Sequence, residues 1–191
     1  MLGSSRPCDE DLTPAEWTYA LATTRLTKRV WMETGEHTTY VRFDHDRGDQ
    51  PIRLSVDVFV EHRPFHETTR GGWEISMRSI SGGRGVEVAA FDDAEPIFIT
   101  CSSGSVEPRH VWYEAEFLGA EADRGLDATT DSLLAATVGA SLEPGGSVTI
   151  RLGVERGDVD GDALERREYC DAALLAGHDQ SPVYTPSGTG R

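Results

Sequence analysis

The residues best suited by type and spacing to carry chemistry lie in Val60–Trp73, "VEHRPFHETTRGGW", which packs His62, His66, flanking acids, Arg63, Arg70, Pro64, Gly71, Gly72 and Trp73 together. Two histidines four residues apart can share one face of a helix and ligate zinc, with a glutamate between them as base. Here the interval is Arg63-Pro64-Phe65, and a proline in that position removes a helical hydrogen bond. Local spacing places no third ligand, which a zinc site requires. The stretch therefore reads as a structured loop after a buried strand, and neither metal nor cofactor is expected.

Other candidates are weaker. "DVDGD" at 158–162 resembles half a calcium loop, but a bidentate glutamate is needed at the twelfth position, where Tyr169 stands. Those acids suit the start of a helix. "SGGRG" and "SGTGR" lack phosphate-loop spacing, and no Gly-x-Ser-x-Gly elbow is present. Cys101 closes an apolar strand and reads as a small core residue. Acids are plentiful, yet no motif singles out two at the separation that glycoside hydrolysis needs. No catalytic residue is assigned. Trp73, Trp112 and Tyr113 stand at strand starts or ends, where a ring can serve as a platform for a sugar; core packing is the stronger reading for each alone.

Strands must position these residues. "WTYAL", "LTKRVWME" and "HTTYVRF" alternate with period two, with Thr39, Val41 and Phe43 on one face and Tyr40 and Arg42 on the other. "IRLSVDVFV" puts Ile52, Leu54, Val56, Val58 and Val60 on one side, and "WEISMRSI", "VEVAAF", "IFITC", "HVWYEAEF", "SLLAATVGASL" and "SVTIRLGV" continue the series. "LGAEADRGLD" predicts a helical turn or two ended by Gly125. "DGDALERREYCDAALLA" predicts the one substantial helix, capped by Asp160 or Asp162, with Leu164, Tyr169, Ala172 and Leu175 on its buried face. Short strands with turns between them predict an all-β-dominated fold, an antiparallel β-sandwich with one C-terminal helix. The expected organisation is a disordered lead-in over 1–16, the sandwich over 17–157, a connecting helix over 158–176 and a disordered tail over 177–191.

Composition narrows the function classes. The 191 residues carry 33 acids against 18 bases, a formal net charge of −15, and Lys28 is the single lysine. Such a charge repels phosphate backbones and anionic lipid, so neither nucleic acid nor a membrane surface is an expected partner. A neutral sugar is not penalised. No apolar run approaches the eighteen or so residues of a membrane span, and the N-terminus lacks the apolar core of a signal peptide. Cys8, Cys101 and Cys170 are odd in number and widely spaced, which fits a reduced cytoplasm.

Three segments in one order add a further reading: "KRVWM…TTYVR", the "H-x-T-T-R-G-G" loop at 66–72, and "RGLD…LEPG". From Trp17 to Ala176 the chain resembles the N-terminal domain of bacterial and archaeal glycogen debranching enzymes, the amylo-α-1,6-glucosidase family. The resemblance implies a β-sandwich that precedes an (α/α) barrel, whose acids hydrolyse the α-1,6 branch points of limit dextrin. It also implies that this chain lacks the family's opening strands and the catalytic barrel, and is therefore a non-catalytic module. Its partners would be the barrel and α-glucan. Two alternatives stay open: a standalone carbohydrate-binding module, and a structural subunit pairing with a separately encoded barrel. In either setting Arg63, His66, Arg70, Trp73, Trp112 and Tyr113 are the residues expected to brace an interdomain surface or touch glucan, with bracing favoured for the loop.

Overall fold

Period-two alternation becomes ten strands in the computed structural model, which describes residues 14–33, 35–63 and 67–175. In chain order these are β1 (Ala15–Leu21), β2 (Thr24–Met32), β3 (Thr38–Arg47), β4 (Ile52–Val60), β5 (Ser76–Ile80), β6 (Gly85–Ala89), β7 (Ile97–Cys101), β8 (Ser105–Phe117), β9 (Thr129–Leu142) and β10 (Ser147–Gly153). The helices are α1 (Gly119–Asp123) and α2 (Ala163–Leu175). The expected tail, and the lead-in up to residue 13, lie outside the described residues.

Every strand pairing is antiparallel. The strands form a seven-stranded sheet, β1-β2-β3-β10-β7-β6-β5, and a three-stranded sheet, β4-β9-β8. The sheets face each other across an apolar layer, as the alternation requires. Val86, Ile99, Leu133, Val138, Val148 and Ile150 form its centre and are at most 1% exposed. Cys101 packs in the same layer, where burial pushes its thiol pKa up and so disfavours the reactive thiolate. On β3, Val41 and Phe43 face this layer, while Tyr40 points to the other side and stacks on Trp31 with ring centroids 5.3 Å apart.

Helix α2 covers that outer side by a face that overlaps only in part with the expected one: Leu164 packs there as expected, and the Leu175 side chain lies outside the described residues. Ala163 is buried against Trp31 and Tyr40, and Asp171 is also buried, whereas Tyr169 and Ala172 are exposed. The reason is ionic. Arg166 donates two hydrogen bonds of 2.9 Å to the Glu33 carboxylate at the end of β2 and a third of 2.8 Å to Asp160, so a guanidinium sets the rotation of the helix. Asp160 accepts the Asp162 amide at 3.0 Å and helps open the helix.

Two strand boundaries also differ. β8 begins at Ser105 and carries Pro108, which an edge strand tolerates. β5 begins at Ser76 because the Ile75 amide leaves the ladder and donates to His110 Nε2 at 3.1 Å. The predicted turn at 118–127 is present as α1, closed by Gly125 at φ 72°.

Ile99→Ala should cost about 2–5 kcal/mol in urea unfolding, because a fully buried side chain leaves a cavity between the sheets. Glu33→Ala should instead speed amide exchange within α2 and leave exchange in the strands unchanged.

Candidate functional site

The loop that leaves β4 at Val60 does not hang free. It returns across the ends of β8 and β9 and is tied to them by main-chain groups. The Asp131 amide donates to the Thr69 carbonyl at 3.0 Å, and the Thr69 amide donates to Thr130 Oγ1 at 3.1 Å. Asp131 then grips the loop: one carboxylate oxygen accepts the Gly71 amide at 2.7 Å, and the other accepts the Ala115 amide of β8 at 2.8 Å. Ala115 has φ 56°, a left-handed conformation costly for a residue with a Cβ, and lies at a register break in β8. These two amides, Gly71 first, hold the Asp131 carboxyl below the usual carboxylate range. Asp127 is held low in the same sense, mainly by the Thr129 amide and with help from Arg70.

Arg70 and both tryptophans belong to this brace. Arg70 donates to Asp127 at 2.8 Å and to the Thr129 carbonyl at 3.3 Å. The Trp73 indole donates to the Arg70 carbonyl at 2.7 Å, and the Trp112 indole donates to the Trp73 carbonyl at 3.2 Å. The two rings lie 5.7 Å apart at a tilt of 41°. Gly71 sits on the Trp112 ring, where a Cβ would come within 2.6 Å of Cε3. The void beside these indoles is about 10 Å³, room for one water and not for a sugar ring.

The remaining expected residues fall elsewhere. Arg63 donates to Glu61 and to the Glu67 carbonyl, both at 2.5 Å, at one end of an open groove of about 930 Å³. Glu67, Phe117, Arg124 and Leu126 also line the groove, with Phe117 72% and Leu126 54% exposed. Behind it the Ser132 hydroxyl lies 2.9 Å from Glu61 and 2.5 Å from Glu116, so its single proton serves one carboxylate at a time. Tyr113 is on the outer face of the three-stranded sheet, edge-to-face with Phe59 at 5.0 Å, away from Trp112 because neighbouring residues on a strand point oppositely. His66 lies outside the described residues, and His62 packs its ring against Phe91.

The structure brings Arg70, Trp73 and Trp112 together in the brace; sequence reasoning missed Asp127, Thr130 and Asp131, which hold the loop, and Glu61 and Glu116, which flank Ser132. One signal was available. Asp127, Thr129 and Asp131 alternate along the start of β9, a polar stripe where an apolar strand was beginning. Among the described residues no three His, Cys, Asp or Glu side chains group to hold a metal, and no helix is long and apolar enough to cross a membrane. The arrangement combines guanidinium and carboxylate hydrogen-bonding groups with an exposed apolar face, which suits contact with a neutral polyol or with another domain.

The brace should respond to acid with a definite sign. Because its folded pKa is lowered, the Asp131 contribution is complete above the unfolded value of about 3.9 and is lost as pH falls through the folded value. The Gly71 and Ala115 amide proton resonances should therefore move together upfield in acid, and Asp131→Asn should abolish that titration. Gly71→Ala should destabilise the chain by about 1–3 kcal/mol through the clash with Trp112, measured by urea unfolding.

A family model described as "Glycogen debranching enzyme N terminal" matches residues 8–149, which span the loop, the brace and nine of the ten strands. A search of curated proteins returns no match. On the family match, which covers well over half of the sequence and agrees with the sandwich, this chain belongs to the family of glycogen debranching enzyme N-terminal domains.

Proposed function

We propose that the chain is the non-catalytic β-sandwich module of a glycogen debranching enzyme and works in the cytoplasm beside a catalytic (α/α) barrel. Its task is to support the α-glucan site of that barrel with the end of the sandwich that carries the 61–75 loop. The observation that carries this reading is the family match over residues 8–149. The brace supports it: Arg70, Trp73 and Trp112 make their hydrogen bonds within the loop's own path and so shape its surface. Beside the groove Phe117 and Leu126 stay exposed, toward the barrel or a glucan end. The polar and apolar mixture of that groove also favours a second reading, a standalone glucan-binding module.

Domain exchange tests the proposal. The chain should release no glucose from limit dextrin by itself. Joined ahead of a debranching barrel stripped of its own N-terminal domain, it should restore debranching. Arg70→Ala and Trp73→Ala in that fusion should lower activity severalfold, with the barrel still folded. Hydrolysis by the chain alone, or a folded fusion without activity, would contradict the reading. Co-sedimentation of the chain alone with glycogen, lost on Phe117→Ala, would favour the second one.

A further inference from the structure

The two sheets have unequal widths, seven strands against three, and the mismatch is concentrated on one flank. β8 packs over β5, β6 and β7, and β9 over β10, so β4 is the edge that looks toward β2 and β1. Among the described residues no strand lies above the inward side of β1 beyond β4. Tyr19 pairs with Leu26, a member of the inter-sheet layer, so Trp17, Tyr19 and Leu21 share that inward face. They are 47%, 44% and 63% exposed. Opposite them Ile52, Leu54, Val56, Val58 and Val60 of β4 pack against the core but are only half-buried. Among the described residues the apolar layer between the sheets therefore runs on, uncovered, into a strip along β1.

The edges of the sheets differ in the same way. β5 is only five residues long, and β8 is interrupted by Pro108 and by two register breaks. Such features blunt an edge against pairing. β4 offers nine residues, with a single register break at Val58/Phe59 in its pairing with β9, and β1 seven, with neither proline nor glycine. Both open edges lie on the flank that carries the uncovered strip. Lys28 stands there too, opposite Trp17 in the pairing, with its ammonium 4.9 Å from the centre of that ring and no ion pair among the described residues.

We propose that this flank is a strand-accepting site. Its ligand is an extended segment of a partner polypeptide that adds to the β4 edge as a fourth strand of the smaller sheet. The segment carries apolar side chains at every second position, turned toward Trp17, Tyr19 and Leu21, and one carboxylate where it passes Lys28. An open edge supplies the main-chain bonds of such a complex, and the alternate side chains supply its selectivity. A second copy fits less well. Two chains joined β4 to β4 about an axis normal to the sheet would drive both overhanging β1–β2 pairs into the same space. This inference stands apart from the functional reading above, because it concerns the opposite flank from β8 and would hold for any sandwich with these edges.

The test uses the full chain and a blocked synthetic peptide of about twelve residues, enough to run along β4, alternating valine with threonine and carrying one glutamate. Hydrogen exchange should slow in residues 52–60 when the peptide is added. A chain with Tyr19→Asp and Leu21→Asp, both on exposed positions, should keep its unfolding midpoint and bind about tenfold more weakly, roughly 1.4 kcal/mol. Replacing the peptide glutamate by lysine should also weaken binding. The proposal is overturned by no protection at 52–60, by protection of 76–80 or 105–117 instead, or by equal binding to the double variant. Self-association that protects 52–60 without peptide would overturn it as well, in favour of a second copy.

Discussion

The Asp131 carboxylate accepts the Gly71 amide with one oxygen and the Ala115 amide with the other, and so joins an extended loop to a break in β8. Each of those amides needs an acceptor, from protein or from water, and an ionised carboxylate is a stronger one than a neutral group. A single ionised side chain meets both needs. From that point the path of the loop is set: Gly71 is pressed on the Trp112 ring, Trp73 folds back on the Arg70 carbonyl, and Arg70 reaches Asp127. The loop is thereby part of the sandwich and not a lid over it.

The same economy of polar contacts recurs at the far side of the larger sheet. Trp31 and Tyr40 form an apolar patch that a thirteen-residue helix could cover by its own apolar stripe. Instead α2 is placed by Arg166 on Glu33, with Ala163 small enough to let the helix lie close to the two rings. Pairing the guanidinium with Glu33 favours one orientation of the helix over others, because a rotated helix would leave that carboxylate without its two donors. The sandwich is thus dressed on two surfaces by arginine–carboxylate contacts around an inter-sheet layer that is itself apolar.

How much of this was legible in the sequence depends on which force governs each part. Strand alternation is a direct print of burial, so Val41, Phe43 and Tyr40 fell on the faces expected, and the sandwich followed. The face of α2 was read only in part: Leu164 packs on the patch as expected, but Arg166 and Ala163 set the rotation, and apolar periodicity alone favours Tyr169 and Ala172. β8 was read too short because Pro108 looks like a terminator, although an edge strand accepts it. In the site, Arg70 and Trp73 could be picked out by type. The groups that hold Thr69, Arg70 and Gly71, namely Thr130, Asp127 and Asp131, could not, because they lie about sixty residues further along the chain. Only the closing of β9 against the loop brings them into reach.

Together these features describe a debranching-family sandwich whose loop is tied to the ends of β8 and β9 and whose groove is left open beside it. The central claim is that this end faces the catalytic barrel. Hydroxyl-radical footprinting of the chain alone and of the same chain joined to a debranching barrel tests it most directly. Phe117 and Leu126 should become protected on joining, while Trp73 and Trp112 react equally slowly in both states. Protection confined to Phe59 and Tyr113 on the outer face of the smaller sheet, or no change at Phe117 and Leu126, would contradict the account.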